Sequence, residues 1–140
     1  MPEDLPERLE AGTVNVPGAA GLAAGLRLVR SLTPEKIFAA GHGQTMACAR
    51  GLKALGYRVF SGPDQAMTVS FQGRADCEEI AEFLGSRGIA VRAGLHCAPL
   101  AHASAGTLET GTVRVSFGLD ASDSQTLALL RALERLPKDR

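Results

Sequence analysis

The sequence predicts an α+β domain: a largely antiparallel four-stranded sheet with helices over one face. Helical periodicity fills 18–32, 34–55 and 77–87, and returns near the C-terminus. Two segments, "YRVFSG" and "AMTVSFQG", alternate with a period of two around the turn "GPDQ" and read as a hairpin. The full order of helix, helix, strand, strand, helix, strand, strand, helix lacks the strict alternation of a parallel βαβ fold.

Taken in order, residues 1–16 read as an irregular lead-in broken by Pro2 and Pro6, and 17–140 as one domain. In the first helix Leu22, Leu26 and Val29 share a face, while Gly21 and Gly25 each cost about 1 kcal/mol relative to alanine. Close approach of another backbone is the usual compensation for such glycines. Thr33-Pro34-Glu35 starts the second helix, with Thr33 as cap and Pro34 in the first turn. Its middle, "AAGHGQTMACARG", is interrupted by glycine, and Gly56 ends it. Asp76 caps a helix with Ile80, Phe83 and Leu84 inward and Gly88 as its stop. "GIAVRAG" is a third strand, Leu95–Gly111 a long loop, and "TVRVSFG" a fourth strand. Long loops in compact domains are often functional. Ser122 or Asp123 caps the last helix, whose stripe is Leu127, Leu130 and Leu133.

Composition narrows the function classes. A 140-residue chain that is 45% hydrophobic can bury a core, so it is not an intrinsically disordered protein. Fifteen basic against fifteen acidic residues give no electrostatic case for nucleic acid or an anionic membrane. No apolar run approaches the roughly 20 residues of a membrane span, and "MPEDLPERLE" is no signal peptide. Three cysteines make no complete disulfide set, so a cytoplasmic protein with free thiols is expected.

The chemistry-bearing residues fall in three places. In "RAGLHCAPLAH" (92–102), Cys97 follows His96 and lies in a loop that Arg92 and Arg114 flank. A thiolate there is a nucleophile favoured by cationic neighbours; a small packed apolar residue is the other reading. In "TVRVSF", Arg114 alternates against valines, so it faces the polar side of its strand. It is either a fork for a carboxylate or a solvated arginine. In "EAGTVNVPG" (10–18), Thr13 and Asn15 precede a helix start, which suits a phosphate or a plain turn into the helix. His96, Cys97 and His102 lack a fourth ligand at a standard zinc spacing, so no metal site is expected. Cys48 and Cys77 fall on helices, where packing is their expected role, and His42 is expected to be solvated.

In this order, "LEAGTVNVPGAAGLAAGL", "GIAVRAGLHCAPL" and "GTLETGTVRVSFG" resemble the C-terminal part of the class V aminotransferase family. The nearest branch is that of the cysteine desulfurases and selenocysteine lyases. The resemblance implies the small domain of a fold type I enzyme that uses pyridoxal 5'-phosphate, acts on L-cysteine and passes sulfur to an acceptor protein. It implies that Cys97 becomes the persulfide, Arg114 grips the substrate carboxylate and Thr13 reaches the cofactor phosphate across a dimer interface. Asn15, His96 and Arg92 match positions near the substrate. The same resemblance allows a transaminase or another lyase in which Cys97 is incidental, or a non-catalytic interaction or sulfur-carrier module. The family's Schiff-base lysine has no counterpart here, since Lys36, Lys53 and Lys138 stand in other contexts. The chain is therefore expected to need a homodimeric whole enzyme, or a separate N-terminal domain bearing the cofactor, for activity.

Overall fold

The computed structural model describes residues 3–9, 12–73 and 75–137. Pro2, Glu10, Ala11 and Lys138 lie outside them. The chain divides into two compact units, Met1–Ile37 and Phe38–Arg140.

In the first unit, helix α1 spans Val16–Leu32, two residues earlier than its periodicity suggests. The Asn15 carboxamide oxygen accepts from the Gly18 N–H at 2.9 Å and sets this start, with Pro17 in the first turn. No residue of α1 is buried. Among the described residues, a Cβ at Gly21 or Gly25 would meet nothing within 4 Å. Thr33, at φ 63°, closes α1 with its N–H on the Val29 carbonyl.

Helix α2, Pro34–Ala54, starts in the first unit and places its buried face (Gly41, Thr45, Cys48, Ala49 and Leu52) in the second. It runs unbroken through the glycines that made it doubtful from sequence. Two of them are closely covered: a Cβ at Gly41 would meet the Met67 side chain, and one at Gly51 the Leu130 methyls, either of which would have to shift.

The second unit contains β1 (Arg58–Phe60), β2 (Thr68–Gln72), α3 (Cys77–Gly85), β3 (Arg92–Gly94), α4 (Pro99–Ala105), β4 (Thr112–Ser116) and α5 (Asp123–Glu134). The sheet is antiparallel throughout, in the order β1-β2-β4-β3. Asp76 caps α3 by accepting from the Glu78 N–H at 2.8 Å. The helix stops at Gly85, and a turn carries the chain to Gly88 at φ 73°. At the start of α5 the Gln125 side chain accepts from the Ser122 N–H at 3.0 Å.

Alternation in the strands decides the layers. Val69 and Phe71 of β2 and Val113 and Val115 of β4 turn inward and are buried. They meet Cys48, Ala49 and Leu52 of α2, Ile80 and Leu84 of α3, and Leu129, Ala132 and Leu133 of α5. Tyr57 packs edge-on against Phe71 at 5.1 Å between ring centroids. The inward row of α5 is Thr126, Leu129, Ala132 and Leu133, whereas Leu127 is half exposed. The expected stripe was therefore displaced by one position, with only Leu133 fully inward.

The opposite face of the sheet carries Ser70, Thr112, Arg114 and Arg92. It receives α4, seven residues within the expected 95–111 loop, whose Ala101, His102 and Ala105 line a small pocket with Phe60, Ser70 and Thr112. Among the described residues, no helix is long and apolar enough to cross a membrane.

Candidate active site

Strand register brings two of the sequence candidates side by side. Arg92 on β3 is the cross-strand partner of Arg114 on β4, and Ser70 on β2 is the partner of Arg114 on its other side. Like charges directly opposite one another are destabilising, where a favourable pair would contribute roughly 0.2–1 kcal/mol. Two guanidiniums in register thus form a local charge concentration that an anion would relieve. Arg114 Nε is buried and has no hydrogen-bond partner. An orphaned buried donor costs about 1–3 kcal/mol. Among the described residues no acceptor reaches this donor.

The loop after β3 holds the second pair. His96 and Cys97 adopt φ of 52° and 57°, consecutive left-handed residues closed by the Ala98 N–H on the Leu95 carbonyl at 2.9 Å. Such a turn suits Asn-Gly; a residue with a Cβ costs about 1–2 kcal/mol in this region. Backbone strain of this kind concentrates at functional sites, where surrounding structure maintains it. Cys97 emerges from the turn exposed to solvent. Among the described residues Cys97 is therefore an accessible sulfur and not a packed one.

His96 is tied down on one side only. Its Nε2 lies 3.2 Å from both the carbonyl and the hydroxyl of Thr112. A carbonyl only accepts, so Nε2 carries the proton and Nδ1 is left as a lone-pair acceptor. Nδ1 is buried without a partner. Burial lowers the pKa of His96, and the charge of Arg114 lowers it further. His102 and Arg92 add to this, against a smaller opposing effect of the Thr112 bond. These influences favour the neutral ring.

His102 supports this arrangement from α4, with its ring centroid 5.8 Å from that of His96. It is buried, and its Nδ1 lies 2.8 Å from the Thr107 hydroxyl. Sequence reasoning considered His102 only as a metal ligand and missed Thr107 and Thr112 altogether. The alternation of Thr112 and Arg114 about Val113 was the available signal for Thr112. Among the described residues, no three His, Cys, Asp or Glu side chains are placed to hold a metal.

Four of the six sequence candidates, Arg92, His96, Cys97 and Arg114, thus meet in one region of the second unit. Thr13 and Asn15 belong to the first. Thr13 is exposed beside Gly12, and the Asn15 carboxamide oxygen is engaged in capping α1.

The other thiols behave differently. Cys48 is buried among α2, α5 and the sheet, which pushes its pKa up to about 11. At pH 8 this leaves about one part in a thousand as thiolate, the reactive form. Cys77 is also raised, by burial first and then by Asp76 and Glu78, against an opposing hydrogen bond with the Gly94 backbone. A thiol-exchange reagent at pH 8 should modify one cysteine rapidly in the native protein, and peptide mapping should place the label on Cys97. Cys48 should react only on unfolding. Rapid native labelling of Cys48 would contradict this burial pattern.

The sequence profile of the family described as aminotransferase class-V matches residues 2–129. The chain is 40% identical over 141 residues to a probable cysteine desulfurase of Pseudomonas aeruginosa, covering 94% of this chain and 33% of that protein. Its fold is similar to the apo cysteine desulfurase of Thermococcus onnurineus NA1, with a TM-score of 0.82, 32% identity, and coverage of 94% of this chain and 33% of that one. It is also similar to the Escherichia coli cysteine desulfurase CsdA, with a TM-score of 0.81, 31% identity, and coverage of 93% and 32%. The chain spans about a third of the length of the curated relatives it matches. With the profile matching nearly its whole length, the chain belongs to the class V aminotransferase family.

Proposed function

We propose that this chain supplies the substrate-carboxylate site and the sulfur-accepting cysteine of a pyridoxal-phosphate-dependent cysteine desulfurase. The observation that carries the reading is an exposed cysteine in a left-handed turn, on the loop between two strands whose register sets Arg92 directly across from Arg114. Arg114, with Arg92 opposite it, offers a fork for the carboxylate of L-cysteine. Cys97 presents a sulfur nucleophile at the surface, where a second thiol, that of an acceptor protein, can reach it.

The residues present do not fit covalent attachment of the cofactor. Lys53 is exposed on α2, whose buried face packs on the apolar side of the sheet, away from Arg92 and Arg114, and Lys36 is exposed in the first unit. Lys138 lies outside the described residues. The lysine anchor of the cofactor would come from a partner domain or subunit. Thr13, on the resemblance of "EAGT", is the proposed contact to the cofactor phosphate, and a homodimer is the proposed setting.

The test is sulfide release from L-cysteine in the presence of pyridoxal phosphate and a reductant. The chain would be assayed alone and then with the lysine-bearing N-terminal part of a relative, in trans or fused. Release that requires both parts supports the reading. Turnover of other amino acids without release of sulfide from cysteine points instead to a transaminase.

A further inference from the structure

We propose that His96, tied to Thr112, is a positioning residue that holds Cys97 in its left-handed turn and so fixes where the sulfur is presented. This rests on the reading of Cys97 as the sulfur-accepting nucleophile, and adds the pair of residues that keeps it in place.

Strain and tie stand on the same residue. His96 and Cys97 both adopt left-handed backbone, which residues with a Cβ seldom hold without support from their surroundings. The Ala98 N–H on the Leu95 carbonyl closes the turn from within. From outside it, the His96 ring reaches back to β4, with Nε2 3.2 Å from both the carbonyl and the hydroxyl of Thr112, 16 residues away. Thr112 is itself a fixed point, buried and paired in register with Gly94, the last residue of β3. The two strand ends are packed so closely there that a Cβ at Gly111 would lie 3.0 Å from the Gly94 Cα. The ring therefore bears on a rigid post.

The ring also meets α4. His102 is buried, its ring centroid 5.8 Å from that of His96, and its Nδ1 lies 2.8 Å from the Thr107 hydroxyl. Thr112, His102 and Thr107 line one small pocket. His96 is thus held against a strand and a helix, while its neighbour Cys97 stays exposed. A nucleophile whose direction is already fixed has less freedom to lose on reaching the transition state. The expected consequence is on rate and not on affinity, because the ring acts through Cys97.

The test has two readouts. In the free chain, NMR should show at Cys97 the strong intraresidue HN–Hα contact of left-handed backbone, and His96→Leu should abolish it while the sheet amides keep their resonances. In the complemented enzyme, His96→Leu should lower kcat for sulfide release by about 10- to 100-fold, the scale for a reacting group misplaced by about 1 Å. The KM for L-cysteine should stay within about twofold, since no contact with bound substrate is lost. His96→Gln, whose amide nitrogen can reach Thr112 again, should restore most of both signals. Thr112→Val, which removes the hydroxyl and keeps the carbonyl, should fall between the unsubstituted protein and His96→Leu. A left-handed Cys97 in His96→Leu, an unchanged kcat, a rise in KM in place of the loss in kcat, or a glutamine variant no better than leucine would each overturn the proposal. If the unsubstituted chain releases no sulfide when complemented, the desulfurase reading fails, and the backbone readout of the free chain still decides whether His96 holds the turn.

Discussion

Cys97→Ala should lower sulfide release by the complemented enzyme at least about a thousandfold, because losing a covalent nucleophile removes the reaction path itself. Folding should be little affected. Cys97 is exposed, so its sulfur contributes little packing. Its left-handed φ of 57° is also no worse for alanine than for cysteine. The two readouts together exclude trivial unfolding. Full sulfide release with alanine at this position would mean that sulfur leaves the substrate by another route.

Arg114→Leu should raise the KM for cysteine by about 10- to 150-fold, corresponding to roughly 1.5–3 kcal/mol for a hydrogen bond to a charged group. Its effect on stability should be neutral or favourable. Leucine removes a like-charge pairing with Arg92 across the strands and a buried nitrogen that lacks a partner. Arg114→Lys should rescue binding only in part, since a single ammonium cannot reproduce the planar fork. Denaturant unfolding of the free chain alongside steady-state kinetics of the complemented enzyme checks both halves. A clear loss of stability in Arg114→Leu would show that this arginine holds the sheet together rather than a ligand.

The signs of these two effects follow from how the sheet is built. Alternation along β2 and β4 sends valine and phenylalanine to three helices, which leaves the other face to polar residues. That much was legible in the sequence, since period-two alternation determines which residues share a face. The same alternation placed Arg114 opposite the valines, and Arg92 was expected on the strand across the loop; only the register that sets the two opposite each other was not legible.

What was not legible has local physical causes. The helix α4 is seven residues of "PLAHASA" with no side-chain cap at Ala98, too short to show a period of 3.6. The glycines of α2 looked like breaks because the groups that fill the space above them, Met67 and Leu130, lie 26 and 79 residues away. In α5, leucines at 127, 129, 130 and 133 offer two overlapping stripes; packing against the sheet selected Leu129 and Leu133. The strained His96-Cys97 turn has no sequence signal, because the residues that fit a left-handed turn best, glycine and asparagine, are absent from it. The order of motifs along the chain pointed to a family that single residues could not, and the sequence profile of that family matches residues 2–129.

The central claim is that Cys97 receives sulfur from an amino acid held on the arginine pair. Its most direct measurement is the mass of the Cys97 peptide after the complemented enzyme is incubated with L-cysteine, without reductant, and alkylated. The account predicts a peptide one sulfur atom heavier than the alkylated control, lost on treatment with a thiol and absent in Arg114→Leu at low cysteine concentration. An unmodified Cys97 peptide in an enzyme that is turning over cysteine would contradict it.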